Sequence, residues 1–161
     1  MTLDELNGLS RQDAERELLR CCGSPEWATL MAAARPFESV AALRGEAERI
    51  WWILDPVDWL EAFVAHPKIG DRSPDSQWAE QEQARMHSAP GATVAGLAQG
   101  NEQYFSKFGY IFIVCATGKS GEEMLSILSA RLPNDPEEEL RIAATEQSKI
   151  TRIRLEKLVT A

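Results

Sequence analysis

A cationic surplus, a histidine cluster and a long apolar run are all missing from this sequence, and each absence closes a class of function. Lys and Arg number 17 against 25 Asp and Glu, a net charge of −8, which repels nucleic-acid phosphates and anionic membrane surfaces. The two histidines, His66 and His87, are too few and too isolated to build a catalytic metal centre with the three cysteines. Cys21, Cys22 and Cys115 lack paired spacing, so they suit neither a disulfide framework nor a zinc knuckle and read as reduced thiols of a cytosolic protein. No stretch approaches the length of a transmembrane helix. Met1-Thr2-Leu3-Asp4-Glu5 lacks the basic and apolar regions of a secretory signal, and Val159-Thr160-Ala161 is not a peroxisomal address. A cytoplasmic protein is expected, with neither nucleic acid nor membrane as partner.

What is present is an ordinary globular mix, 44% hydrophobic and 26% charged. Residues 1–161 carry no internal repeat, low-complexity tract or linker, so one compact, all-α, multi-helix domain is expected. Ser10, Ser24 (before Pro25) and Ser39 each stand ahead of a helical pattern as N-caps, so at least three helices should fill residues 10–54. Ile50-Trp51-Trp52-Ile53-Leu54 is apolar on all sides, and Asp55-Pro56 restarts a helix carrying Val57, Trp59, Leu60 and Phe63. Most of the five tryptophans are expected in the core. Pro67 biases His66 away from helical dihedrals, which ends that helix at or just before His66.

Further on, a helix is expected to resume near Trp78 and another to cover Thr93 to Phe108. Tyr110 to Cys115 is β-branched and aromatic with no partner strand, and reads as a short extended connector or a further helical turn. Ser120 caps a helix through Arg131. Asn134-Asp135-Pro136-Glu137-Glu138 starts a final helix with a cap, an early Pro and acids at the positive dipole end.

Three features bear on chemistry. On the final helix Leu140, Ala143, Gln147, Ile150, Arg154 and Leu158 recur at intervals of three and four, which places Arg154 inside an apolar stripe. A guanidinium there either faces a polar cavity or is paired with a neighbour or snorkels outward. The loop His66-Pro67-Lys68-Ile69-Gly70-Asp71-Arg72 sets an imidazole, two cations and a carboxylate around a Gly turn; His66 is either a proton-transfer group or an ordinary turn residue. His87 has no evident partner and reads as a surface residue. Gly118-Lys119-Ser120 imitates the end of a phosphate loop, but the first Gly of that motif would fall on Ile113, so it reads as a helix cap instead. A nucleophile elbow for a Ser-His-Asp hydrolase is also absent.

Taken together, His66-Pro67-Lys68-Ile69-Gly70-Asp71, Glu82-Gln83-Ala84 and Phe108-Gly109-Tyr110-Ile111-Phe112-Ile113-Val114-Cys115-Ala116 resemble the 2-oxo-4-hydroxy-4-carboxy-5-ureidoimidazoline (OHCU) decarboxylases. Gly118-Lys119-Ser120, Met124-Leu125, Arg131-Leu132-Pro133-Asn134-Asp135, Glu146-Gln147, Lys149-Ile150 and Arg154-Leu155 extend the resemblance over most of the chain. It implies an all-helical fold, a homodimer, no metal or organic cofactor, and a reaction that releases carbon dioxide and yields (S)-allantoin in urate breakdown. Carried residue by residue, it makes His66 the catalytic acid and Glu82 and Arg154 its partners. Pro67, Ala79, Glu80, Gln81, Glu82 and Gln83 line the substrate, and Phe112, Ile113, Val114, Cys115 and Ala116 supply main-chain contacts. One departure is Arg85, which stands where the family pattern has Gly after Glu-Gln-Ala.

The chemistry is compatible with a site of side chains and main-chain dipoles alone. Loss of carbon dioxide leaves an electron pair that must enter the ring and be quenched by a proton on one face, so a preorganised electrostatic site and a positioned acid suffice. Arg154 on a ring or ureido oxygen serves better than on the departing carboxylate, where it would stabilise the ground state. Glu82 either accepts from substrate N–H groups or assists removal of the hydroxyl proton. Two rivals are a helical interaction module and a decarboxylase of a related ureido acid. Because the residues contain no metal-ligand cluster, incubation with a chelator is expected to leave turnover unchanged; a loss restored by adding a divalent metal would contradict this.

Overall fold

The structure, a computed structural model, describes residues 1–66 and 90–160. Among them are eight α-helices and no strand: α1 (Leu3–Gly8), α2 (Arg11–Leu19), α3 (Pro25–Ala33), α4 (Val40–Ile53), α5 (Pro56–Val64), α6 (Gly91–Phe108), α7 (Gly121–Arg131) and α8 (Pro136–Leu158). They group into two compact units, Met1–Ala65 with Gln147–Ala161, and His66–Glu146. The expected helix near Trp78 lies outside the described residues.

Helix starts follow the local capping chemistry. The hydroxyls of Ser10, Ser24 and Ser39 accept from the N–H groups of Asp13, Trp27 and Ala42 at the heads of α2, α3 and α4. Ser120 and Glu123 form a reciprocal capping box at α7. Asp55 makes no side-chain cap, so α5 begins on Pro56 with its preset φ. α1 lies ahead of the first expected helix, and its signal is a second capping box, Thr2 with Glu5. α5 stops at Val64 with Ala65 as its cap, just short of His66. α6 ends on Gly109 at φ +83°, a left-handed conformation that suits Gly.

In the first unit the core is Leu6, Leu18, Trp27, Met31, Leu43, Ile50 and Phe63 from α1 to α5, with Leu155 and Leu158 from α8. Its buried polar atoms are matched singly. The Trp27 indole N–H donates to the Ala47 carbonyl at 3.1 Å. Arg35 donates to the carbonyls of Leu6 and Leu9 at 2.9 and 2.8 Å, adding to the single main-chain bond that Leu6 accepts from Leu9 at the end of α1. The tryptophans divide more evenly than expected. Trp27 and Trp51 are buried, Trp59 is half-buried, and Trp52 is 40% exposed and lies edge-on to Trp59. The all-apolar run at the end of α4 has to turn one side outward, because a helix can bury only part of its circumference against neighbours.

In the second unit α6 packs on α7. Gly100 makes the approach close: a Cβ there would meet Leu128 Cδ2 at 2.5 Å. Tyr110 to Cys115 is a connector with no helical turn and no strand pairing, buried except at half-buried Ile111.

Cys21, Cys22 and Cys115 are free thiols, all buried. Burial pushes the Cys21 thiol from 9.0 up to about 12 and Cys22 up to about 11, with the nearby Arg154 charge opposing the rise at both. The unfolded chain therefore releases these protons first. Their contribution to stability is complete below pH 9 and is lost as pH rises through about 11, each thiol at up to about 1.4 kcal/mol per pH unit. Urea midpoints are expected to fall between pH 8 and pH 10.5, and to fall less in Cys21→Ala/Cys22→Ala; equal slopes would place the alkaline loss elsewhere.

Candidate active site

Arg154 sits where the helical spacing puts it. It is 8% exposed, among Ile150, Thr151, Leu155 and Leu158 on the buried side of α8. Its charge reaches Cys21 and Cys22 in the same unit. A cation so placed lies in a poorly solvated setting, where electrostatic interactions are stronger than in water.

The second unit presents Phe112, Ile113, Val114, Cys115 and Ala116 as one continuous stretch, every residue buried. Buried main chain must have its polar groups matched, and here charged side chains do much of it. Arg131 Nη1 donates to the Ile113 carbonyl at 2.7 Å. The Cys115 N–H donates to Glu146 Oε1 at 3.1 Å, and Lys119 Nζ donates to the Cys115 carbonyl at 2.8 Å. The Cys115 N–H is thus engaged within the protein.

Behind this stretch lies a buried ionic cluster. Arg131 Nε donates to Glu139 Oε2 at 2.9 Å, its Nη2 donates to the same carboxylate, and Asn134 Nδ2 donates to Oε1 at 3.1 Å. The Tyr104 hydroxyl donates a short hydrogen bond to Glu139. Glu139 is fully buried. Desolvation and the bond to Glu139 hold the Tyr104 phenol well above its ordinary pKa. Burial works against the charge on Arg131, but Glu139 outweighs it and raises the guanidinium pKa. The same guanidinium lies 4.6 Å from the centroid of the Phe112 ring.

His66 is half-buried and follows directly on the last turn of α5. Pro67, Ala79, Glu80, Gln81, Glu82 and Gln83 lie outside the described residues, as do Arg85 and His87. Of the expected site residues, the structure joins Phe112 through Ala116 in one stretch. His66 belongs with them to the second unit, and Arg154 belongs to the first. Arg131, Glu139 and Glu146 were not anticipated beside the site. A signal existed: Glu139, Ala143, Glu146 and Ile150 recur at four, three and four, so two carboxylates share the buried side of α8 with Arg154. Acids in a first turn also suit a helix dipole, which hides this signal. Among the described residues no group of three or more His, Cys, Asp or Glu is arranged to hold a metal ion.

A family model described as OHCU decarboxylase matches residues 7–156. The chain belongs to the OHCU decarboxylase family. It is 41% identical over 158 residues to the uric acid degradation bifunctional protein TTL of Arabidopsis thaliana, covering 93% of this chain and 48% of that protein. The chain thus spans about half the length of that relative. It is 28% identical over 160 residues to the 2-oxo-4-hydroxy-4-carboxy-5-ureidoimidazoline decarboxylase of Haloferax volcanii, covering 96% of this chain and 94% of the relative. A crystal structure of OHCU decarboxylase in the presence of (S)-allantoin superposes with a TM-score of 0.81 at 40% identity, covering 90% of this chain and 98% of that one. The fold is therefore that of the family.

Arg154→Leu separates a site cation from a structural one. Leu suits the apolar stripe, so unchanged or raised stability is expected with collapse of the decarboxylation characteristic of the family. A thermal melt lowered by the equivalent of about 3–5 kcal/mol, with per-molecule turnover retained at low temperature, would mark Arg154 as the partner of a buried carboxylate.

Proposed function

We propose that this chain decarboxylates 2-oxo-4-hydroxy-4-carboxy-5-ureidoimidazoline to (S)-allantoin and carbon dioxide in urate breakdown, without metal or organic cofactor. The observation that carries the proposal is the 40% identity and shared fold with the OHCU decarboxylase solved in the presence of (S)-allantoin, across 98% of that chain. The match to the family over residues 7–156 draws on both compact units, which supports treating 1–161 as one functional domain.

In this reading the bond between the ring carbon and the carboxylate breaks, its electron pair enters the ring, and His66 delivers the quenching proton to one face. The hydroxyl becomes a carbonyl as its proton passes to the ring nitrogen that took up the electron pair, with Glu82 either carrying that proton or holding substrate N–H groups. Arg154 meets a ring or ureido oxygen, which its buried, fixed charge suits. Pro67, Ala79, Glu80, Gln81 and Gln83 line the substrate, and main-chain groups of Phe112 to Ala116 bind a second oxygen. The engagement of the Cys115 N–H with Glu146 assigns that binding to other groups of the stretch.

The enzyme is assigned as a cytoplasmic homodimer. The net charge of −8 and the absence, among the described residues, of a helix long and apolar enough to cross a membrane support the first term. Supporting the second is the apolar surface formed by Ile53, Val57, Leu60 and Val64, the last 81% exposed.

The test is to generate the substrate in situ from urate with the two preceding enzymes and to follow its decay and the chirality of the allantoin. Accelerated decay to the S enantiomer is expected; unchanged decay to racemic product would sink the assignment. His66→Gln should fold normally and lose about 10²- to 10⁴-fold in rate, whereas near-wild-type turnover would remove His66 from the mechanism.

A further inference from the structure

The cluster of Arg131, Glu139 and Tyr104 is arranged to direct main chain. Glu139 grips the guanidinium through Nε and Nη2 and is itself held by Tyr104 and Asn134, so the remaining donor, Nη1, has a fixed direction. That donor meets the Ile113 carbonyl at 2.7 Å. The Ile113 carbonyl and the Val114 N–H belong to one planar trans peptide unit, the cis bond among the described residues being Arg35–Pro36. They point opposite ways, so Arg131 turns the Val114 N–H away from the cluster. The next peptide unit is held similarly: the Cys115 N–H is bound by Glu146, which turns the Val114 carbonyl away from Glu146. Two successive peptide planes are thus clamped by buried charged side chains. A well-packed apolar pair would hold the fold as well as a buried ion pair, but it could not supply a directed donor.

We propose that Arg131 is a positioning residue for substrate binding, setting through the Ile113 carbonyl the direction in which the Phe112–Ala116 main chain meets the substrate. This rests on the assignment above that the stretch contacts substrate. Arg131 itself touches no substrate atom, and Glu139 acts by aiming Arg131.

Removing Arg131 alone strands the Glu139 carboxylate, so the decisive variant is Arg131→Met/Glu139→Gln, which leaves no unpaired charge. Glu139→Gln alone keeps the Arg131 bond to Ile113 and reports what loss of the ion pair does by itself. Arg131→Lys keeps a charge opposite Glu139 without the planar fork. Each is examined by thermal melting, by amide hydrogen exchange of the 110–116 region without substrate, and by KM and kcat on substrate generated in situ. In the double variant KM is expected to rise about tenfold with kcat changed by less than about twofold, and exchange in the region should quicken by about tenfold. Arg131→Lys should shift KM in the same sense by less. Glu139→Gln, whose amide oxygen still accepts from Arg131 but holds it less firmly, should melt earlier and shift KM and exchange by less than the double variant. If the double variant and Arg131→Lys fold and keep wild-type KM, or if Glu139→Gln raises KM as far as the double variant does, Arg131 is structural and the proposal is overturned. Wild-type protein without turnover would overturn the underlying assignment and the proposal with it. Quickened exchange in the double variant distinguishes that case from failure of the clamp.

Discussion

A buried guanidinium has to be matched donor by donor, and in the second unit that requirement organises much of what surrounds it. Arg131 spends its donors on Glu139 and the Ile113 carbonyl, Tyr104 and Asn134 complete the carboxylate, and Phe112 packs against the guanidinium. One cluster therefore joins α6, α7, the start of α8 and the connector between α6 and α7. Because the Ile113 carbonyl and the Glu139 carboxylate are each claimed by particular donors, the connector can lack helix and strand and still be defined. Burial and the bond to Glu139 keep the Tyr104 phenol protonated against the opposing charge of Arg131, and Glu139 keeps Arg131 charged against its own desolvation.

The first unit is held differently. Its polar contacts are between individual side chains and main chain, such as Arg35 on carbonyls at the end of α1, Asn7 bonding Phe37 in both directions, and serine hydroxyls on first-turn N–H groups. Apolar side chains supply the rest, with Trp27, Phe63 and Leu43 fully enclosed. Arg154 is the buried cation of this unit, beside thiols that burial keeps protonated.

Within the second unit, the peptide planes at Ile113 and Cys115 are held by Arg131 and Glu146, at the cost of desolvating the residues that clamp them.

Caps and periodicity were legible in the sequence because they are local. Ser10, Ser24, Ser39 and Ser120 act on N–H groups three residues away, Pro67 acts on the dihedrals of its neighbour, and the stripe on α8 that buries Arg154 depends on one helix only. α1 carries the same kind of local signal in Thr2 and Glu5, although the helices expected from the sequence begin only at residue 10. The family pattern added residue roles that no periodicity contains. What the tertiary structure alone decided are pairings between residues far apart in the chain. Glu139 looks like a dipole acid until Arg131 and Tyr104 are seen to close around it, and Trp52 looks like core until the packing of α4 and α5 leaves it at the surface. Tyr110 to Cys115 was ambiguous for a related reason. Its conformation is set by Arg131 and Glu146, 18 and 31 residues beyond their acceptor and donor in the stretch, and local propensity cannot report bonds made at that distance.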